Sequence, residues 1–163
     1  MFHVGDRVVY PMHGAGVIEA IEERDILGET TEVYVMRMPV GDMQVLVPVE
    51  SSEAIGLRRV MDEEQWVEVQ EILSLDDASE TQNWNRRYRE NAERLKSGDM
   101  HLVAAVVRDL LRREREKGLS TGERRMLDNA LQILVSEVAL ALDLEPEEAE
   151  ARIEAAIPMG KSA

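Results

Sequence analysis

The sequence predicts an α+β protein: a small SH3- or Tudor-like β-barrel over residues 1–60, then an all-α region of about five helices over residues 61–163. Three observations carry this. Residues 4–60 contain short runs rich in β-branched residues, separated by glycine and proline turn signals. From Asp62 onward the apolar residues recur at helical spacing behind recognisable cap residues. The chain has 163 residues, 44% of them apolar, which is enough side chain for a substantial core, and it has no cysteine. The missing thiols exclude disulfides and thiolate metal sites and fit a reducing cytoplasm.

In the β region the expected strands are Val8-Val9-Tyr10, Ala15 to Ile21, Val33 to Met38 and Met43 to Pro48. Pro11 and Gly14, Gly28-Glu29, and Pro39 with Gly41-Asp42 supply the connections of a meander. His13-Gly14-Ala15-Gly16 superficially resembles a phosphate loop, but a strand follows it where such a loop needs a helix N-terminus facing the anion. Its glycines are therefore expected at bulge or turn positions. Ser51 to Gly56 reads as a polar turn, after which Leu57-Arg58-Arg59-Val60 closes the barrel.

The helical region opens at Asp62, which with Gln65 forms a capping box ahead of Trp66, Val69, Ile72 and Leu73, a stripe that places Trp66 in the core. Residues 75–82 are an acidic polar connection. A second helix is expected from about Gln82, capped by Thr81 and ending near Ser97-Gly98, and a third from Asp99 carries Val103, Val106, Val107, Leu110 and Leu111. Ser120 and Glu123 form a second capping box opening a helix of about 22 residues, and Pro146 marks the first turn of the last helix.

Asn83-Trp84-Asn85-Arg86-Arg87-Tyr88-Arg89 stands out because it sets a large ring beside three arginines in a chain of net charge −14. Spacing alone favours a buried stripe of Trp84, Tyr88, Ala92 and Leu95. The position of Trp84 in the first helical turn favours a surface role instead, since a ring there can project past the helix end. The charge distribution bears on the choice. Residues 84–125 carry a net +5, between segments of −13 and −6. A local basic face in an acidic protein suits contact with a polyanion, whereas i,i+4 ion pairs such as Arg112/Glu116 would make it an ordinary solvated helix surface.

No constellation points to catalysis, so an enzyme is not expected, nor is a cofactor. His3, His13 and His101 lack ligand spacing, so no metal site is expected. Met1 leads directly into Phe2-His3-Val4-Gly5-Asp6 and no apolar run approaches ~18 residues, so the expectation is a cytoplasmic protein without targeting or membrane segments.

The chain closely resembles the CarD/CdnL family of bacterial RNA polymerase-binding transcription regulators. The resemblance is carried by Val4-Gly5-Asp6, Val8-Val9-Tyr10-Pro11, His13-Gly14, Val47-Pro48, Asn83-Trp84, Arg86-Arg87-Tyr88 and Leu95-Lys96-Ser97-Gly98-Asp99. Val106-Val107-Arg108-Asp109-Leu110, Lys117-Gly118-Leu119-Ser120, Gly122-Glu123, Arg125-Met126-Leu127 and Gln132-Ile133-Leu134-Val135 follow in the same order. The resemblance implies that the barrel docks on a lobe of the RNA polymerase beta subunit, as a module shared with transcription-repair coupling factors. It implies that the helical part touches promoter DNA at the upstream edge of the bubble, Trp84 wedging into the minor groove to hold the open complex. Arg87, Arg89 and Arg124 then match positions facing the DNA backbone, with Arg86 in the same motif. Arg24 matches a polymerase-contacting arginine, while Leu46 stands where some members have a second arginine; an apolar contact of Leu46 and a weaker dock are both open. A monomer, binding duplex weakly without polymerase, is expected. A stand-alone architectural DNA binder and a protein–protein adaptor with a buried Trp84 are the other readings.

Overall fold

A computed structural model of the chain describes residues 1–75 and 83–158. Its first part is a five-stranded antiparallel sheet formed by β1 (Arg7–Tyr10), β2 (Gly14–Ile26), β3 (Glu29–Met38), β4 (Met43–Pro48) and β5 (Arg58–Arg59), in the order β4-β3-β2-β1-β5. This is the Tudor-like meander read from the turn signals. The sheet curls around a core of Val8, Ile18, Tyr34, Met36, Met38, Val47 and Leu57. Gly16 is needed where β2 meets β3, because a Cβ there would lie 2.7 Å from the Arg37 carbonyl oxygen.

Two details differ from the sequence reading. β2 and β3 pair well past Ile21, from Glu22↔Val33 to Ile26↔Glu29. This outer arm alternates charged and polar residues, so backbone pairing holds it as a hairpin although it offers no apolar face to reveal it. The segment expected as a polar turn contains a single helical turn, α1 (Ser52–Ile55), which Gly56 ends in the left-handed conformation at φ 90°.

Among the described residues five further helices follow: α2 (Glu63–Ser74), α3 (Trp84–Lys96), α4 (Met100–Glu116), α5 (Thr121–Leu142) and α6 (Pro146–Ala156). The Asp62–Gln65 capping box is formed, Asp99 and Ser120 cap α4 and α5, and Pro146 opens α6. At α3 the cap is Asn83, whose side chain accepts the Arg86 N–H; Thr81 and residues 76–82 of the acidic connection lie outside the described residues. The helical core gathers Trp66, Val69 and Leu73 of α2 with Leu95 of α3, the apolar stripe of α4, and Met126, Leu127, Ala130, Ile133, Leu134 and Val138 of α5.

Sheet and helices meet along α5. The Ser136 hydroxyl accepts the buried Ala15 N–H at 2.8 Å, and a Cβ on Gly14 would strike that hydroxyl at 2.8 Å. Arg58 of β5 forms a two-pronged pair with Glu137 at 2.8 Å for each bond, and the same carboxylate accepts the Met61 N–H. Glu137 is 2% exposed, so three charge-assisted bonds replace the water it has lost. Arg7 adds bonds to the Leu140 carbonyl and to Asp143 at the end of α5. The orientation of the sheet against the helices is thus fixed by polar groups that cannot be left unmatched.

Candidate nucleic-acid interface

α3 is a short helix whose buried residues are Asn91 and Leu95; Tyr88 and Ala92 pack only partly against the core. The stripe expected from spacing is therefore buried at its C-terminal end and open at its start, where Trp84 is 42% exposed. The indole is nevertheless held. It stacks on Tyr88 at 4.9 Å between centroids with 16° between planes, and both rings lie over the backbone of Gly122, where a Cβ would sit 3.5 Å from Trp84 Cζ2 and 3.6 Å from Tyr88 Cε2. Its Nε1–H donates to Ser120 Oγ at 2.9 Å, and that oxygen also accepts the Glu123 N–H as the N-cap of α5.

The same two helices are joined by a partly buried ion pair. Glu123, 1% exposed, receives Arg87 Nε at 2.8 Å and Arg87 Nη2 at 3.1 Å, and Arg113 stands 3.9 Å away. Burial acts to raise the Glu123 carboxyl, but the hydrogen bonds and charge of Arg87, helped by Arg113 and the Ser120 hydroxyl, overcome it and hold the carboxyl below its ordinary range. The hydrogen bond to Glu123 likewise raises the Arg87 guanidinium. The capping box expected at Ser120/Glu123 is formed on the serine side, while the Glu123 carboxylate serves Arg87 across the helix pair.

The remaining arginines of the motif face outward. Arg86 meets Glu90 at 3.3 Å one turn on, and Arg124 meets Glu114 across from α5 to α4 at 2.8 and 3.0 Å. Such exposed pairs are worth little and exchange readily for another anion. Arg89 is exposed and has no hydrogen-bond or ion-pair partner among the described residues. Arg112, by contrast, is buried within α4 rather than lying on a solvated face with Glu116. Trp84, Tyr88, Ser120 and Gly122 thus meet where the start of α3 lies against the start of α5, while Arg86 and Arg89 are exposed on α3 and Arg124 on α5. Tyr88 lies in the motif picked out from the sequence, whereas Ser120 reads there only as a helix cap, and the contact of Ser120 and Gly122 with Trp84, across more than thirty residues, is not legible in it.

On the sheet, Arg24 lies in the outer hairpin arm, opposite Thr31, bonded to Glu22 at 2.8 Å. Leu46 lies on the edge strand β4, opposite Val35, and is 39% exposed. Thr31 and Val35 are four residues apart on β3, so Arg24 and Leu46 share one face, roughly 13 Å apart along the strand direction and opposite the face carrying Tyr34 and Met36.

Among the described residues no helix is long and apolar enough to cross a membrane. The chain is thus a two-part protein: a curled sheet with an open edge, fixed through buried polar bonds to a helical body that exposes the Trp84 ring. Residues 2–61 match the model of the CarD-like/TRCF RID domain, an RNA polymerase-interacting module, and residues 68–154 match that of the CarD C-terminal domain. The chain belongs to the CarD family. It is 41% identical over 138 residues to "Putative transcription factor YdeB" of Bacillus subtilis (strain 168), covering 85% of this chain and 90% of that one. It is also similar to the 72-residue N-terminal domain of Myxococcus xanthus CarD solved by solution NMR, at 36% identity over 36% of this chain and 79% of the other, with a TM-score of 0.32.

Proposed function

We propose that this protein is a transcription regulator that docks on the RNA polymerase beta subunit and stabilises the promoter open complex by touching DNA at the upstream edge of the bubble. In this reading residues 1–60 dock, through the face that carries Arg24 and Leu46, and residues 61–163 contact DNA; the protein acts as a cytoplasmic monomer. The observation that carries the reading is Trp84, 42% exposed at a helix start, in a segment that also exposes Arg86 and Arg89, with Arg124 exposed on α5. An apolar ring can enter an opened base step, whose unstacking costs a few kcal/mol, while neighbouring guanidiniums neutralise phosphates. Arg87, which the resemblance sets among the arginines facing the DNA backbone, is paired with Glu123 and keeps part of its side chain exposed.

Charge explains why polymerase is needed. The net −14 of the chain opposes binding to free duplex, and a Kd of about 10⁻⁴ M or weaker is expected at physiological salt. Docking holds the basic surface beside the promoter at an effective concentration on the order of millimolar, at which so weak a contact is populated. The test is footprinting and challenge kinetics of polymerase–promoter complexes with and without the protein. Extended upstream protection and slower open-complex decay are expected. Tight, sequence-dependent binding to bare duplex would instead establish a stand-alone DNA binder.

A further inference from the structure

We infer that Ser120 is a positioning residue for Trp84: it holds the indole in one pose with its N–H consumed, so that the ring meets DNA through an apolar face and reads distortion rather than base identity. This rests on the functional reading above and specifies what that surface recognises.

The indole has three ways to engage a ligand: its two faces and its single donor. One face is covered by Tyr88, at 4.9 Å and nearly parallel. The donor is occupied by Ser120 Oγ at 2.9 Å. Ser120 cannot easily turn away, because the same oxygen caps α5 through the Glu123 N–H at 3.2 Å, and Glu123 is itself fixed by Arg87. What is left to a ligand is the second face and the part of the ring edge away from Gly122, on a residue that is 42% exposed. Minor-groove recognition of G·C against A·T depends on hydrogen bonds to base edges. A ring without a free donor makes none, and its target is an unstacked or unpaired step of either composition. Preorganisation adds to this, since a ring already fixed loses less rotamer freedom on binding.

Ser120→Gly separates positioning from capping. Glycine replaces serine at an N-cap at little cost, and Ser120 has extended backbone angles (φ −64°, ψ 164°), so α5 keeps its start while the indole loses its acceptor. Two measurements follow. Without DNA, exchange of the Trp84 indole N–H with solvent, read by NMR beside the Trp66 indole as internal control, should be faster by about threefold or more in Ser120→Gly and unchanged in Ser120→Thr. With polymerase and promoter, Ser120→Gly should shorten open-complex lifetime about threefold, Trp84→Phe by a similar factor, and the double variant no further, because both single changes remove the same bond.

Unaltered indole exchange in Ser120→Gly overturns the positioning role. A double variant clearly worse than either single one overturns the claim that the N–H is unavailable to DNA. If Trp84→Ala leaves the lifetime unchanged, it is the functional reading that fails, and a normal exchange result still leaves Ser120 as the residue that sets the ring.

Discussion

The two tryptophans of this chain sit in successive helices of 12 and 13 residues, each opened by a side-chain cap, and end in opposite environments. Trp66 is 6% exposed and Trp84 42%. Trp66 lies at the fourth position after its cap, one turn into α2, where Val69 and Leu73 continue the same buried face and α4 and α6 pack over it. Trp84 is the first residue of α3, beyond the reach of Leu95 and the core, and its neighbours are a second ring, a glycine and a serine hydroxyl. Spacing within a helix assigns a face; how far along its axis the neighbouring helices extend decides whether that face is covered.

The sharpest test of the contrast is stability. Trp66→Ala should cost about 3–5 kcal/mol, as loss of a fully buried large ring does, seen as a large fall in the denaturant midpoint. Arg87→Ala comes next, at about 3 kcal/mol, because it leaves Glu123 buried with Arg113, 3.9 Å away, as its remaining cation among the described residues. The same variant should change the response to acid. The folded-state carboxyl of Glu123 is held below its ordinary value of 4.5, so its contribution is present above that pH and lost as pH falls through the lowered folded value. In Arg87→Ala the acid-side loss should shrink, as shown by melting curves between about pH 3 and 6.

Trp84→Ala should cost only about 1–2 kcal/mol, for a half-exposed ring and one hydrogen bond, while markedly shortening open-complex lifetime. A stability loss as large as that of Trp66→Ala would erase the distinction and support the adaptor reading. The smallest effect concerns how α2, which carries Trp66, is tied to α4. His101 bonds Glu68 at 2.7 Å and Asp99 at 3.1 Å, and these bonds, that to Glu68 foremost, outweigh burial and raise its imidazole above 6.5. A raised folded value means the contribution is present below about pH 6.5 and lost as pH rises through the folded value. His101→Gln should therefore lower the melting temperature slightly at pH 6 and leave it unchanged at pH 9.

Much of this molecule follows from the sequence by itself. The order of sheet and helices, the caps at Asp62, Asp99 and Ser120, the proline start of α6 and the buried place of Trp66 are set by residues a few positions apart, whose hydrogen bonds and torsional preferences act within a turn. Composition also showed that the basic charge is concentrated around α3, α4 and the start of α5. Tertiary structure alone decided which charges remain available. Arg87 and Glu123 are 36 residues apart, as are Trp84 and Ser120, and Arg58 and Glu137 are 79 apart. Helical spacing puts Arg87 on the side of Asn91 and Leu95 and Arg89 on the other, but nothing within α3 says that a buried carboxylate of α5 waits opposite Arg87. A buried carboxylate must find a cation wherever the packing of helices brings one near. Partnerships of that kind depend on the relative placement of whole elements, and periodicity within one element carries no record of it.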